Sequence, residues 1–178
     1  MTVEILMAGF GGQGILFATK QIAKSAMVAG RQVTWIPSYG PEARGGTSNC
    51  SVIVSDEPIG SPIVTKPDIL LALNLQSFDK FVPRIKPGGM LIYDSSLVRK
   101  PVGRDDIEAH AIPATQLASD HGIAGAANVI MLGRLIAITG LFDPEEFKSH
   151  LVEGIPDSRA QMRENNIKAF EIGYGYKE

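Results

Sequence analysis

A glycine-rich segment near the start of the chain has the residue types and spacing of a ligand-binding turn. It reads Gly-Phe-Gly-Gly-Gln-Gly at Gly9–Gly14 and follows the apolar run Val3–Ala8, which predicts a buried strand. It opens a helical pattern from Gln13 to Ala29. Glycines allow a tight turn and close approach of the backbone to a ligand, and the free amides of a helix start attract phosphate. The candidate ligand contacts here are Gly9, Gly11, Gly12, Gln13 and Gly14.

The spacing of these glycines also fits the G-x-G-x-x-G fingerprint of dinucleotide-binding proteins. In those proteins the second strand ends near an Asp or Glu that binds the ribose. The second strand predicted here, Gln32–Pro37, is followed by Ser38 and no acid. The sequence therefore disfavours a stand-alone nucleotide-binding dehydrogenase. A tight turn that binds nothing stays open as a second interpretation.

A second candidate segment, Ser38–Thr47, is rich in Gly and Pro and follows the second predicted strand. Ligands of open α/β sheets bind at the carboxyl ends of the strands, which is where this loop is expected to lie. Arg44 has a planar fork suited to phosphate or carboxylate, and Glu42 could orient it. An exposed loop with a weak surface ion pair is the alternative. The candidate contacts are Tyr39, Glu42, Arg44, Gly45, Gly46 and Thr47.

The elements that must position these two segments alternate between short strands and helices. The first strand, helix and second strand form a unit that predicts parallel neighbouring strands with a right-handed crossover. Asn49–Ser55 follows so closely that it predicts an antiparallel strand in a mixed sheet. Three further strands are predicted at Ile69–Leu73, Met90–Tyr93 and Glu108–Ile112. The alternation predicts one three-layer α/β domain over residues 1–178, with a mostly parallel mixed sheet flanked by helices.

The remainder of the chain is predicted to be helical. Ala126–Leu141 is apolar on most faces, which predicts a buried helix. Asp143 and Pro144 provide a cap and a favourable first position for the next helix. Shorter helices are predicted near Gln76–Val82 and Ala114–His121, and a final amphipathic helix from Ser158 to Ile172.

Composition excludes several classes of function. Charged residues make up 20% of the chain, the formal net charge is -2, and no basic run suggests a nucleic-acid partner. The single cysteine, Cys50, cannot form an internal disulfide or hold an iron–sulfur cluster alone, and it falls in a predicted strand, where an inert thiol is expected. His110, His121 and His150 lack metal-ligand spacing. No stretch resembles a signal peptide or a membrane span, so we expect a cytoplasmic protein.

Together, Gly9–Gly14 and Tyr39–Thr47 resemble the gamma subunit, or gamma domain, of 2-oxoacid:ferredoxin oxidoreductases. The string Tyr-Gly-Pro-Glu-Ala-Arg-Gly-Gly is the most specific part of the resemblance. The resemblance is weaker over Arg99–Ile112. It covers nearly all of the chain and continues in Val52–Ile59, Lys66–Leu70, Gly89–Ser95, Asn128, Leu132-Gly133 and Asn166–Phe170.

This resemblance implies one subunit of an enzyme that oxidatively decarboxylates a 2-oxo acid, forms an acyl-CoA and reduces ferredoxin or flavodoxin. It implies the fold of catalytic domain III of pyruvate:ferredoxin oxidoreductase. 2-Oxoglutarate is the first substrate expected, ahead of branched-chain acids, pyruvate and indolepyruvate. Thiamine diphosphate, Mg2+ and 4Fe–4S clusters are expected in partner alpha, beta and delta subunits, and ferredoxin is expected to meet the chain only through the complex.

The resemblance further implies that both candidate segments face a subunit interface and contact coenzyme A through its phosphates. No residue of this chain is expected to act as a catalyst or metal ligand. The alternative is a non-catalytic assembly module whose loops dock partner subunits. The isolated chain is expected to be inactive, and to form a homodimer if Ala126–Leu141 normally covers a partner contact rather than its own core.

Overall fold

The computed structural model describes residues 1–39 and 46–178, which form a six-stranded mixed sheet with helices on both faces. Strand β3 is antiparallel to both of its neighbours, and the other five strands share one direction. The α/β class and the antiparallel third strand are confirmed. The strands are β1 (Thr2–Phe10), β2 (Gln32–Tyr39), β3 (Thr47–Ser55), β4 (Ile69–Ala72), β5 (Met90–Asp94) and β6 (Glu108–Ile112).

The prediction that β1 and β2 are neighbours is wrong. The sheet order is β2-β3-β1-β4-β5-β6, so β3 lies between them. Its residues suit an interior position, since Cys50, Val52 and Val54 are fully buried. The β1–helix–β2 crossover therefore skips one place in the sheet, and the short return of the chain fills it.

Six helices accompany the sheet in the described part of the chain. Helix α1 ends where Gly30 adopts a φ of +72°, which favours glycine. Helix α5 begins at Pro144, where the Asp143 carboxylate accepts hydrogen bonds from the amides of Glu145 and Glu146 at 2.9 and 3.0 Å. The helices are α1 (Ile15–Val28), α2 (Leu75–Phe81), α3 (Ala114–Asp120), α4 (Ala127–Thr139), α5 (Pro144–Val152) and α6 (Ala160–Tyr174).

The two faces of the sheet carry unequal helical layers. Successive side chains of β1 alternate between them, with Ile5 and Met7 on one face and Leu6 and Ala8 on the other. The first face packs against α1 and α4, and α3, α5 and α6 extend the same apolar cluster by packing on those helices and on one another. The second packs against α2, through Phe78 and Phe81, and the short turn that follows it. Consequently α1 and α2 lie on opposite faces of the sheet.

Helices α4 and α6 pack so closely that their backbones touch at two glycines. A Cβ atom on Gly173 would overlap the carbonyl group of Ile130, and one on Gly133 would overlap the carbonyl oxygen of Phe170. Helix α4 is covered by its own chain, because its residues from Asn128 to Leu135, except Arg134, are buried. The apolar run predicted as a buried helix is therefore core of this domain.

No helix within residues 1–39 and 46–178 is long and apolar enough to cross a membrane.

The α4–α6 contact predicts a large effect for the substitution Gly173→Ala. Alanine raises helix propensity by about 1 kcal/mol, but overpacking against a rigid backbone typically destabilises by about 1–3 kcal/mol or more. The free energy of unfolding from urea titration should therefore fall. Gly60→Ala is the control, because that position has open space around it and should be neutral or slightly stabilising. Equal stability of the two variants would contradict the close contact.

Candidate functional site

The carboxyl ends of β1 and β4 lie side by side and form a topological switch point of the sheet. The two strands are parallel neighbours, from Ile5 beside Ile69 to Ala8 beside Ala72. Helix α1 leaves β1 toward one face of the sheet, and α2 leaves β4 toward the other. The connections thus separate and leave a crevice, which is where open α/β sheets bind ligands. We call this edge of the sheet the carboxyl edge.

The segment Gly9–Gly14 is here called the glycine turn. Its glycines are needed for different structural reasons. Gly12 and Gly14 have φ values of +94° and +74°, which disfavour any side chain. Gly9 has an ordinary φ, but a Cβ there would lie 2.5 Å from the Gln13 Oε1 atom and 3.2 Å from the Leu73 Cβ atom. Gly11 has open space around it. Three of the four glycines are therefore required by the fold itself.

The side chain of Gln13 braces the glycine turn against the β4–α2 connection. Its Oε1 atom accepts a hydrogen bond from the Phe10 amide at 2.7 Å, and its Nε2 atom donates to the Leu73 carbonyl oxygen at 3.2 Å. Both ends of the carboxamide thus have protein partners. Gln13 holds the two walls of the crevice together, and direct contact between this side chain and a ligand stays a prediction.

The glycine turn presents amides that could bind an anion. Among the described residues, the amides of Gly12 and Gly14 have no hydrogen-bond partner, whereas the Gly11 amide donates to the Gly46 carbonyl oxygen at 3.2 Å. Helix α1 has no side-chain cap and no acidic residue in its first turn. Its partial positive charge is therefore available to a phosphate or carboxylate.

The second candidate segment joins the glycine turn at the same edge of the sheet. Thr47 begins β3 and pairs with Phe10, and Gly46 is bonded to Gly11 as described above. The backbone of Tyr39 ends β2 and pairs with Ser48. The sequence prediction that the second segment lies at the carboxyl ends of the strands therefore agrees with the positions of Gly46 and Thr47. The candidate contacts Glu42, Arg44 and Gly45 lie outside the described residues.

Asn128, near the start of α4, fixes the last residue of the glycine turn. Its Nδ2 atom donates to the Gly14 carbonyl oxygen at 3.1 Å, and a Cβ atom on Gly14 would overlap its carboxamide. The residue is 6% exposed. Asn128 therefore ties the turn to the most buried helix of the domain. The sequence singled it out only through family resemblance.

Two polar residues at the crevice were missed from the sequence. Asn74 directly follows Leu73 and caps α2, its Oδ1 atom accepting from the Ser77 amide at 2.8 Å. The Asn74 Nδ2 atom and the Ser77 hydroxyl are buried without a hydrogen-bond partner in the described structure. An asparagine between a strand and a helix was the available signal for this cap.

The described residues hold no group of three or more His, Cys, Asp or Glu side chains placed to bind a metal ion. Cys50 is fully buried within β3, and burial raises the pKa of its thiol. A thiol of this kind is a poor nucleophile and a poor metal ligand. The described side chains of the carboxyl edge therefore act through hydrogen bonds to the backbone.

The sheet order, the crevice and the glycine turn define an α/β protein with a glycine-rich turn at a switch point of the sheet. Comparison with protein families identifies it further: residues 4–176 match the model of the pyruvate ferredoxin/flavodoxin oxidoreductase family. The chain belongs to this family.

Three curated relatives match this chain over different shares of their own length. The 2-oxoglutarate synthase subunit KorC of Methanocaldococcus jannaschii is 38% identical over 98% of this chain and 93% of its own length. The ketoisovalerate oxidoreductase subunit VorA of Methanothermobacter thermautotrophicus is 45% identical, but the chain spans only 35% of that protein. The chain likewise spans 36% of the VorA subunit of Methanothermobacter marburgensis.

Solved structures with similar folds include a gamma subunit and a longer oxidoreductase chain. The gamma subunit of a keto/oxoacid ferredoxin oxidoreductase from Geobacter sulfurreducens matches 97% of this chain with a TM-score of 0.82 and 34% identity, over 96% of its own length. The 2-oxoglutarate:ferredoxin oxidoreductase of Magnetococcus marinus, solved with 2-oxoglutarate, coenzyme A and succinyl-CoA bound, matches 97% of this chain with a TM-score of 0.88 and 25% identity. The match covers 30% of that chain.

The contact between Gly14 and Asn128 predicts a coupled pair of substitutions. Gly14→Ala should lower the free energy of unfolding, because a left-handed φ costs a side chain about 1–2 kcal/mol and the new methyl group meets the Asn128 carboxamide. In an Asn128→Ala background the second penalty disappears, so Gly14→Ala should be less destabilising there. Urea titration of the four proteins gives the coupling energy.

Gly11→Ala serves as the control for this pair, since Gly11 has open space and an ordinary φ. Its stability should match that of the wild type. Strictly additive effects of Gly14→Ala and Asn128→Ala would show that the two residues do not touch.

Proposed function

We propose that this chain is the gamma subunit of a multi-subunit 2-oxoacid:ferredoxin oxidoreductase. The complex oxidatively decarboxylates a 2-oxo acid, transfers the acyl group to coenzyme A and reduces ferredoxin. 2-Oxoglutarate is the first substrate to test. The subunit contributes a coenzyme A contact at the carboxyl edge and helps shape the active-site interface, without supplying a catalytic side chain.

The observation that carries this proposal is the near full-length match to the 2-oxoglutarate synthase subunit KorC, at 38% identity over 93% of that subunit. A separate gamma subunit of a keto/oxoacid ferredoxin oxidoreductase has the same fold over 96% of its length. These matches favour a gamma subunit of this kind. The VorA relatives are subunits of ketoisovalerate oxidoreductases and are much longer than this chain. Because ketoisovalerate is a branched-chain 2-oxo acid, branched-chain acids are the second substrate class to test.

Coenzyme A is the proposed ligand because its phosphates suit the chemistry of the glycine turn. The amides of Gly12 and Gly14, which have no partner among the described residues, and the uncapped start of α1 favour an anion. The similar enzyme from Magnetococcus marinus was solved with coenzyme A and succinyl-CoA bound. Gly9 and Gln13 keep the turn in shape, while Gly45, Gly46, Thr47, Tyr39, Glu42 and Arg44 complete the proposed contact region.

The redox and decarboxylation chemistry is assigned to partner subunits. One cysteine cannot ligate a 4Fe–4S cluster, and the described residues hold no acidic cluster suited to Mg2+. Thiamine diphosphate, Mg2+ and the clusters therefore belong, in this proposal, to alpha, beta and delta subunits. When bound there, these groups supply the carbanion and electron-transfer chemistry, and this chain binds and orients the acyl acceptor.

The role of Arg44 provides a direct test of the coenzyme A contact. Arg44→Lys keeps the charge but loses the planar fork that can grip a phosphate in two parallel hydrogen bonds. Loss of one charge-assisted hydrogen bond, at about 1.5–3 kcal/mol, should weaken the apparent affinity for coenzyme A by roughly ten- to a hundredfold. The measurement is the coenzyme A dependence of steady-state turnover in the reconstituted complex, for wild type, Arg44→Lys and Arg44→Ala.

Arg84→Lys is the matched control, because Arg84 is exposed and donates to the Thr65 carbonyl oxygen, just before β4 at the opposite edge of the sheet. Its coenzyme A dependence should equal that of wild type. All variants should still decarboxylate the 2-oxo acid, since this step precedes acyl transfer to coenzyme A. Unchanged coenzyme A dependence in both Arg44 variants, with normal assembly, would favour the alternative in which the loops only dock partner subunits.

A further inference from the structure

The two outer strands of the sheet are protected to different degrees. At one edge, β6 spans five residues, and its His110 ring lies 2.7 Å from a Glu108 carboxylate oxygen and 3.0 Å from one of Glu178. At the other edge, β2 spans eight residues, and no strand of the described chain pairs with its outer side. Natural proteins usually protect such an edge, because its free N–H and C=O groups can pair with another strand.

The sequence of β2 favours pairing rather than protection. It reads Gln-Val-Thr-Trp-Ile-Pro-Ser-Tyr, without a charged residue, and the residues from Val33 to Ile36 are all of types with high strand propensity. Because alternate residues of an antiparallel strand direct their N–H and C=O groups to the same neighbour, about half of the backbone groups of β2 point away from β3. Within this strand only Pro37 lacks an N–H group to donate. The outer side of β2 is therefore suited to accept a further strand.

An apolar groove of about 440 Å3 lies between β2 and the second half of α1. Met27 and Val28, at the end of α1, line it and are each 64% exposed. Trp35 forms the side of the groove that belongs to β2, and its Nε1 atom donates to the Thr19 hydroxyl at 3.0 Å, which orients the ring. Met and Trp side chains are enriched at protein interfaces. The groove thus has the composition of a protein contact surface.

The charged residues that line the groove are both lysines. Lys24 pairs with the Glu153 carboxylate at 2.6 Å, whereas Lys20 has no ion-pair partner among the described residues. The Lys20 Nζ atom lies 5.4 Å from the centre of the Trp35 ring. None of the described lining residues is acidic. A partner that fills the groove should therefore combine apolar side chains with a carboxylate that can reach Lys20.

The open edge and the groove point to one kind of occupant. A strand added to the outer side of β2 would place every second side chain over the groove, because side chains alternate between the two faces of a sheet. We infer that an extended segment of a partner subunit, carrying apolar side chains and a carboxylate, pairs with β2 and fills the groove. This inference rests on the proposed function, since it takes the chain as one subunit of a larger complex.

A second copy of this chain is a poorer occupant of the same edge. Two β2 strands that paired with each other would bring two lysine-bearing grooves together, and β2 has no acidic side chain to offer Lys20. Like charges that meet at an interface disfavour association. We therefore expect β2 of the isolated chain to stay unpaired on its outer side.

Hydrogen exchange tests the pairing in wild-type protein. The isolated chain and the complex purified around a tagged copy should be compared by mass spectrometry over a peptide that spans Gln32–Tyr39. The outward amides of β2 should exchange at least about tenfold more slowly in the complex, because a hydrogen-bonded amide exchanges only when its pairing opens. This measurement does not depend on the folding of a variant.

The substitution Val28→Asp tests the groove, because it places a carboxylate where an apolar side chain of the partner is expected. Expressed beside untagged wild type, the tagged variant should enter the complex at least about tenfold less often than the tagged wild-type chain, the factor for about 1.4 kcal/mol. Ile63→Asp is the matched control, because Ile63 is 69% exposed and does not line the groove. It should enter the complex as often as wild type.

Failure of this inference can be told from failure of the proposed function. If partner subunits co-purify but β2 exchanges as fast as in the isolated chain, the edge is unpaired and the inference is wrong, while the proposed function stands. Slow exchange of β2 in the isolated chain would also overturn the inference, since a second copy would then occupy the edge. Normal entry of Val28→Asp into the complex would exclude the groove from the contact. If no partner subunit co-purifies, the proposed function fails, and the inference with it.

Discussion

The close approach of Asn128 to Gly14 is the contact on which the carboxyl edge depends. It forces glycine at the last position of the turn and ties the start of α1 to the buried helix α4. That helix is in turn held against α6 by direct backbone contact at Gly133 and Gly173. A chain of tight contacts thus runs from the core of the domain to the amides of the glycine turn. Preorganised amides of this kind bind an anion without first having to be ordered.

The sheet order places this contact beside the crevice of the candidate site. Because β3 is inserted between β1 and β2, β1 becomes an interior strand with β4 as its parallel neighbour. The helices that follow β1 and β4 leave on opposite faces, and the crevice between them is bridged by Gln13. The same insertion brings Thr47 beside Phe10, so that the second candidate segment ends at the glycine turn. One topological feature therefore assembles the candidate site from segments far apart in sequence.

Much of this was predictable from the sequence, and the exceptions have physical reasons. Periodicity and turn residues predicted all six strands and the long helices, including the antiparallel β3 and the cap at Asp143. Strand neighbours were predicted incorrectly for β1 and β2, because local pattern does not say which strand fills the gap under a crossover. The role of Asn128 depends on a contact between distant segments, and no local pattern encodes it. The glycines were recognised as a group, but only the structure separates Gly9, which lacks space, from Gly12 and Gly14, which need a positive φ.

The most direct test is purification of the complex that forms around a tagged copy of this chain in its native cells. Ferredoxin reduction should then be assayed with a panel of 2-oxo acids, with and without coenzyme A. We predict that subunits carrying thiamine diphosphate and 4Fe–4S clusters co-purify, and that reduction requires both a 2-oxo acid and coenzyme A. The chain alone should reduce no viologen dye under the same conditions. A chain that purifies without partners, or that reduces the dye by itself, would contradict its assignment as a gamma subunit.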